Sequence, residues 1–305
     1  MNQPQYNDNP LVSIITLNWN HTDVTCAFLE STRKLKYRNF EILVCDMNSD
    51  IDPAEQIHSL HVPNTTLLQS KKNLGFAAGN NWGMRQAKGD FIFIVNNDTE
   101  VTPDLLDLLL EPFYADPSIG VTCPKIRYYS HPNIIQYAGF SHMNSISGRA
   151  FSIGDKEVDT GQYDKSGYTF GAHGCAMMVK RAVIEKVGMF PEKFFLYYEE
   201  WDWSSRIQKA GYHIYYQSKA LIYHKESISV GKNSPLKTYY ITRNRILYMR
   251  RNTSIPKLFV FMLFFIFAAM PKAIVSFLFK KEYGLLKAYW KAVIWNLTHS
   301  SYSVV

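Results

Sequence analysis

Five consecutive apolar residues, Phe91-Ile92-Phe93-Ile94-Val95, run directly into Asn96-Asn97-Asp98-Thr99. Aromatic and β-branched side chains without alternation predict a strand buried on both faces. Such a strand delivers a carboxylate and two amides to the carboxyl edge of a sheet, where ligands bind in open α/β folds. A carboxylate at that edge suits a divalent metal holding a diphosphate. The same polar residues also read as a turn and helix cap, with Thr102-Pro103-Asp104 opening the next helix.

The preceding chain repeats this arrangement. Leu11–Leu17 predicts a first strand ending at Asn18-Trp19-Asn20, and a helix follows over about 22–34. Phe40–Cys45 predicts a second strand ending at Asp46-Met47-Asn48-Ser49-Asp50, then a helix over about 53–60 and a short strand at Thr65–Gln69. After Phe91–Val95 a helix is expected from Pro103 to Tyr114. Strands alternating with helices at this spacing predict an α/β fold with a doubly wound, mainly parallel sheet. Residues 125–170 are rich in Tyr, Ser and Gly, and predict irregular loops with short antiparallel strands. Three strand ends carry short polar side chains: Asn18, then Asp46 and Asn48, then Asn96, Asn97 and Asp98. They are expected to converge on one crevice.

With 47% hydrophobic residues in a chain of 305, a full core is available. Cys26, Cys45, Cys123 and Cys175 form no CxxC pair and read as reduced packing residues of a cytosolic protein. The polar stretch Met1–Pro10 has no apolar signal core, which argues against export.

The net charge of +7 is unevenly spread. Residues 231–305 hold 12 Lys/Arg against the single acid Glu282, leaving 21 basic and 25 acidic residues before them. A basic tail suits nucleic acid or an anionic membrane. Its neighbours decide against nucleic acid, because Leu258–Met270 is unbroken apolar sequence and Ala273–Phe279 continues it after Pro271-Lys272. Pro and Lys near the middle argue against a simple span, basic residues at both ends give no orientation, and helices lying in or dipping into the cytoplasmic leaflet are expected. One true span, or a buried or dimer-forming helix, stays open. The expected location is cytoplasmic, peripheral on the cytoplasmic face of the inner membrane, with residues 1–250 catalytic and 251–305 membrane-associating.

Asn73–Gly83 is rich in small residues. Gly75 and Gly79 permit close backbone approach to a ligand, and the following helix N-terminus favours an anion. Equally, a Gly/Ala face lets a helix pack tightly on a sheet. The segment fits neither a dinucleotide fingerprint nor a Walker loop. Glu199, Glu200 and Asp202 lie amid aromatics, where apolar surroundings and like charge raise carboxyl pKa values; alternatively they cap the following helix. His224 follows a predicted strand, where a lone His is usually structural. Arg243 is placed to meet a diphosphate bidentately, or lies on a solvated or lipid-facing helix.

Taken together, these segments resemble family 2 glycosyltransferases with a GT-A fold, especially rhamnosyltransferase-like bacterial members. The resemblance rests on Val12–Asn20, Asp46–Asp50, Asn73–Gly83, Asn96–Thr99, Gly174–Met177, Gly188–Phe195 and Tyr198–Asp202, and covers about residues 10–250. It implies that Asp46 holds the donor nucleobase and that Asn73, Gly75 and Asn80 line the nucleotide pocket, with Asn18, Asn48, Asn96, Asn97 and Arg243 in the same donor-binding set. Asp98 becomes the last member of a metal-binding D-x-D whose first position is Asn96 here, and His224 a group against the metal or diphosphate. The implied cofactor is Mg²⁺ or Mn²⁺. Glu200 takes the general-base position, with Asp202 as understudy or orienting residue and Glu199 beside them.

The expected activity is inverting transfer from a nucleotide-diphosphate sugar (dTDP- or UDP-linked) to a lipid-linked or saccharide acceptor in surface polysaccharide assembly. A metal-dependent nucleotidyltransferase and a non-catalytic membrane-bound scaffold are the alternatives. The first would ordinarily show a Gly-rich loop where Asn18-Trp19-Asn20 stands.

Overall fold

The buried runs assemble into one ten-stranded sheet with helices packed against it. The computed structural model describes residues 9–225 and 234–303, so the polar N-terminal segment lies, up to residue 8, outside the described residues. In chain order come β1 (Val12–Asn18), α1 (Thr22–Thr32), β2 (Phe40–Asp46), α2 (Ala54–Ser59), β3 (Thr65–Gln69), α3 (Gly75–Gln86), β4 (Phe91–Val95), β5 (Thr99–Val101) and α4 (Leu105–Ala115). Then follow β6 (Ile119–Tyr128), β7 (His131–Tyr137), β8 (Gly167–Thr169), β9 (Ala176–Lys180), α5 (Arg181–Val187), α6 (Glu199–Lys209) and β10 (His213–His224). The last helices are α7 (Pro235–Asn252), α8 (Ile255–Phe264), α9 (Met270–Phe279) and α10 (Tyr283–Thr298).

The strand order is β3-β2-β1-β4-β9-β6-β10-β5, with β7 added on β6 and β8 on β10. The first four strands are parallel, as the alternating strand and helix pattern predicts. β9 then enters antiparallel to both β4 and β6, so the sheet changes direction beside β4. All five residues of β4 are buried. Helix α1 stops two residues short of the expected end. Ser31 Oγ and Thr32 Oγ1 there donate to the Phe28 and Leu29 carbonyls at 2.7 and 2.6 Å, competing with the helical pattern.

The middle region is as expected: β7 pairs antiparallel with β6 and β8 with β10, and residues 138–166 between them hold turns, bends and isolated bridges. β6 is ten residues long because β10 pairs with it in parallel over nine positions. A buried ion cluster holds this half together: Lys125 Nζ and Arg127 Nε reach Asp159 Oδ2 at 3.0 and 2.8 Å. All four cysteines are buried and free, as expected.

Residues 255–279 form one continuous apolar helix of 25 residues, long and apolar enough to cross a membrane. Pro271 does not break it. Phe265–Ala269 adopt a π turn just before it, which absorbs the hydrogen bond that proline cannot donate. One face is held down: Phe261 and Phe265 are buried with Phe194, Trp201, Leu247, Met249 and Tyr289 in a second core. The opposite face leaves Phe259, Phe267, Val275 and Phe279 exposed.

α3 lies close on the sheet because it carries glycine where it crosses β1 and β2. A Cβ at Gly83 would come within 2.7 Å of Ile15 and 3.0 Å of Cys45, and one at Gly79 within 2.8 Å of Met47. These two glycines therefore serve packing. Gly83→Leu is expected to cost about 1–3 kcal/mol through overpacking, read as a lowered urea midpoint at unchanged m.

Candidate active site

The three polar strand ends do meet. Asn18 and Asp46 are register partners on adjacent parallel strands, and Asn18 Nδ2 donates to Asp46 Oδ1 at 2.8 Å. Asp46 also accepts from the Ser49 amide and hydroxyl, while Asn18 Oδ1 accepts from Thr25 Oγ1. Asn97 Nδ2 reaches the same Thr25 hydroxyl at 2.8 Å, tying the end of β4 into the network. Asn48 sits exposed at φ 62°, the left-handed conformation that a short amide side chain tolerates. The Asn96 amide donates to the Cys175 carbonyl, joining the end of β4 to the start of β9.

Asp98 and His224 face each other. His224 Nε2 lies 3.1 Å from Asp98 Oδ1, a charge contact off the line of a hydrogen bond, and that oxygen is buried without a donor. The other ring nitrogen, Nδ1, lies 2.8 Å from Gln136 Oε1 and so carries a proton for that acceptor. Burial opposes a charge on His224, and the nearby Cys175 thiol and Asp98 outweigh it, holding the imidazole protonated well above its ordinary range. Burial also pushes the Cys175 thiol up, so Asp98 rather than the thiol is the partner that favours the imidazolium. Once Nε2 gives up its proton, that nitrogen and the Asp98 oxygen left without a donor would face one point that a cation can occupy. This fits a divalent metal taking one or two protein ligands and the rest from a diphosphate. His173, one residue from the glycine beside Glu200, is neutral: burial drives its pKa down to about 3, and it accepts the Cys175 amide.

The three acids divide into different environments. Glu199 is buried with Oε2 unpartnered; burial first, then Glu200, raises its pKa well above the ordinary glutamate value. Glu200 is partly accessible, and burial raises it to about 7 against opposing backbone hydrogen bonds. Asp202 is different. Burial would raise it, but Arg251, Asn252 and Arg206 outweigh burial and keep it below the usual carboxylate range. Arg206 Nε, Arg251 Nε and Asn252 Nδ2 surround it at 3.1, 2.9 and 2.9 Å. The expectation of Asp202 as an understudy base is corrected: its lone pairs are spent joining α6 to α7.

Backbone strain presents Glu199 and Glu200. Phe195, Tyr197 and Tyr198 have φ of 64, 69 and 72°, three non-glycine residues in the left-handed region within four positions. Asn244, fully buried on α7, holds them: its Nδ2 donates to the Phe194, Leu196 and Tyr197 carbonyls at 2.9, 2.7 and 2.7 Å. Arg243 NH2 adds contacts to the Lys193 and Phe194 carbonyls. Arg243 is also stacked on Tyr240 and Trp295 with its carbon 4.6 Å from each ring. Its assignment to a donor diphosphate is therefore corrected, because the guanidinium is committed to this loop.

α3 meets the same loop. The Phe76 and Ala77 amides donate to the Phe195 carbonyl, and Asn73 Oδ1 takes the Gly75 amide. The expected anion site at this helix N-terminus is corrected, since its first amides already have acceptors. Gly75, at φ 75°, makes room for the Phe195 ring, which a Cβ would meet at 2.4 Å. Asn80 turns back onto the Phe76 carbonyl. Its neighbour Asn81, which pattern reading passed over, clamps α3 to Phe190 through both backbone groups.

Glu200 and Asp98 flank a common segment. Glu200 Cγ and Phe76 Cζ each lie 3.9 Å from where a Cβ on Gly174 would stand. The next residue, Cys175, lies against His224 and Asp98. Cavities of about 240 and 460 Å³ lie elsewhere, beside β8 and at the foot of α8, and neither is lined by Asp98 or Glu200. Chemistry rather than volume locates this site.

The glycosyl transferase family 2 model matches residues 13–188. The chain belongs to that family. It is a glycosyltransferase, which also removes the nucleotidyltransferase alternative. Among curated relatives, an uncharacterized protein y4gI of Sinorhizobium fredii is 27% identical over 79% of this chain, which spans 27% of that protein. An N-acetylglucosaminyl-diphospho-decaprenol L-rhamnosyltransferase of Mycobacterium tuberculosis is 26% identical over 68% of this chain and 73% of its own length. A mannosyltransferase of Pyrobaculum calidifontis, solved with GDP-Man and Mn²⁺, shares the fold at a TM-score of 0.61 and 16% identity, over 97% of this chain and 88% of that one. GalNAc-T7, solved with UDP, GalNAc and Mn²⁺, gives 0.65 at 15% identity over 80% and 48%.

Asn244→Ala strips the left-handed run of its donors. It is expected to lower kcat by roughly tenfold to a hundredfold with a small change in donor KM, because the carboxylate loses its placement rather than its chemistry. Steady-state kinetics on the folded variant checks this.

Proposed function

We propose that this glycosyltransferase moves a sugar, with inversion, from a dTDP- or UDP-linked donor to a hydroxyl of a lipid-linked saccharide in surface polysaccharide assembly. One observation carries the reading: Glu200, the less buried acid of the pair and the one whose pKa lies near 7, faces the Gly174–Cys175 segment that adjoins the Asp98–His224 pair. Glu200 takes the proton of the acceptor hydroxyl as its oxygen attacks the anomeric carbon. The bond to the diphosphate oxygen breaks on the opposite face. Glu199, held protonated, keeps a second negative charge away from the base. Asn18, Asp46 and Asn97 present the donor edge. Asp98 and His224 would hold Mg²⁺ or Mn²⁺, which supplies positive charge against the departing nucleotide diphosphate. The name of the mycobacterial relative supports the diphosphate-linked lipid acceptor and rhamnose as the sugar.

Residues 1–250 form the catalytic unit in this proposal, and 251–305 seat it on the cytoplasmic face of the inner membrane. A helix pinned on one face by Phe261 and Phe265 lies along the bilayer more readily than through it. Its bare face would enter the acyl boundary, with Lys257, Lys280, Lys281, Lys287 and Lys291 near anionic headgroups.

Glu200→Gln is expected to lower nucleotide-diphosphate release by at least about a hundredfold while the donor still raises the melting temperature. Undiminished turnover would move the base elsewhere; donor binding without turnover in the wild type, over a panel of acceptors, would favour the scaffold alternative. In the wild type the rate should rise with pH through about 7 as Glu200 ionises. Stability should move the opposite way. A raised carboxyl pKa means that the unfolded chain releases the proton first, so folding weakens as pH rises from the ordinary value of 4.5 through about 7. Glu200→Gln should therefore melt above the wild type at pH 8, the two converging below pH 4.5.

Phe259→Asp with Phe267→Asp should reduce cosedimentation with phosphatidylglycerol vesicles several-fold. Added salt should weaken wild-type binding further.

A further inference from the structure

Arg245 is only 6% exposed, its neighbour Arg149 lies exposed at the surface, and among the described residues no carboxylate comes within ion-pair reach of either. The other buried guanidiniums of this region are answered: Arg206 and Arg251 by Asp202, Arg243 by carbonyls. Arg245 has one backbone acceptor, Ser147 O at 2.6 Å from Nε, and its guanidinium carbon stands 5.7 Å over the Phe261 and Phe265 rings. Rings and one carbonyl offset part of the desolvation, but a buried charge ordinarily has a counter-charge. Arginine cannot escape by losing its proton. Burial, then the neighbouring Arg149, both act against the charge on Arg245.

The position is informative. Gly148, between these groups, lies on Met249 and Phe261, where a Cβ would find 3.0 and 3.1 Å. Tyr198 donates to the Gly148 carbonyl at 2.9 Å and feels Arg245, Arg149 and Glu200 together. Tyr198 thus stands between this segment and the proposed base, and Arg245 rests on the helix whose far face is bare and apolar.

We propose that Arg149 and Arg245 bind the phosphate or diphosphate of the lipid carrier that brings the acceptor sugar. This rests on the glycosyltransfer reading above and adds where the acceptor is held. A planar fork suits phosphate oxygens bidentately, and the apolar helix beside it suits the chain they are attached to.

The test uses the full chain in detergent micelles, with farnesyl diphosphate as probe. Wild-type protein should bind it, with farnesol and inorganic diphosphate each at least roughly tenfold weaker, and Arg149→Ala and Arg245→Met should each weaken it at least roughly tenfold. Arg245→Met without ligand should melt no lower than the wild type, because it removes an uncompensated charge at similar volume. Unchanged affinity in both variants, farnesol binding equal to the diphosphate, or a destabilised Arg245→Met with full binding in Arg149→Ala would overturn the proposal. Displacement by phosphatidylglycerol nanodiscs as effective as by the probe would overturn the carrier in favour of a headgroup. A nucleotide sugar with Mn²⁺ is the control: no melting shift there sinks the parent reading, whereas a shift without farnesyl diphosphate binding sinks only this one.

Discussion

The Asn244 amide is the interaction on which the site depends. Three non-glycine residues in the left-handed region cost of order 1–3 kcal/mol each, and such a run persists only where its surroundings over-determine it. Here one buried side chain gathers three carbonyls from that run, with Arg243 taking two from the same stretch. The unusual backbone starts α6 so that its first residues present carboxylates. Asp202, one turn on, anchors the same helix to α7 through two arginines.

Glu199 and Glu200 illustrate a conflict between stability and chemistry. Two adjacent carboxyls removed from water are a standing cost once ionised, because burial and mutual repulsion both penalise the charge. One oxygen on each residue has no donor, so backbone hydrogen bonds relieve that cost only in part. That partial relief leaves the Glu200 carboxyl near neutrality, and more complete hydrogen bonding would hold it ionised at lower pH.

Much of the fold was legible. β4 was readable residue for residue because an unbroken apolar run bounded by polar groups admits few alternatives. The meeting of Asn18, Asp46 and Asn97 followed from parallel strands sharing one carboxyl edge. Other features were hidden for physical reasons. The antiparallel entry of β9 depends on pairings far apart in sequence. The use of Gly79 and Gly83 depends on which helix face meets the sheet, and a list of small residues does not say. Asn244 and Arg245 flank each other in a basic helix and are both buried, and only their partners tell the one that ties down a loop from the one that meets a single carbonyl and two rings. Asp202 looked like Glu200 on paper, yet its arginine partners arrive from fifty residues downstream or one helical turn away.

The Phe195 carbonyl, sandwiched between two structural obligations, joins α3 to the loop that leads into α6. It accepts the opening amides of α3, which borders the donor edge, and it belongs to the segment that Asn244 fixes ahead of the acids. A single peptide unit therefore forms a rigid hinge pin. A displacement of α3 would therefore bear first on the loop ahead of Glu199 and Glu200.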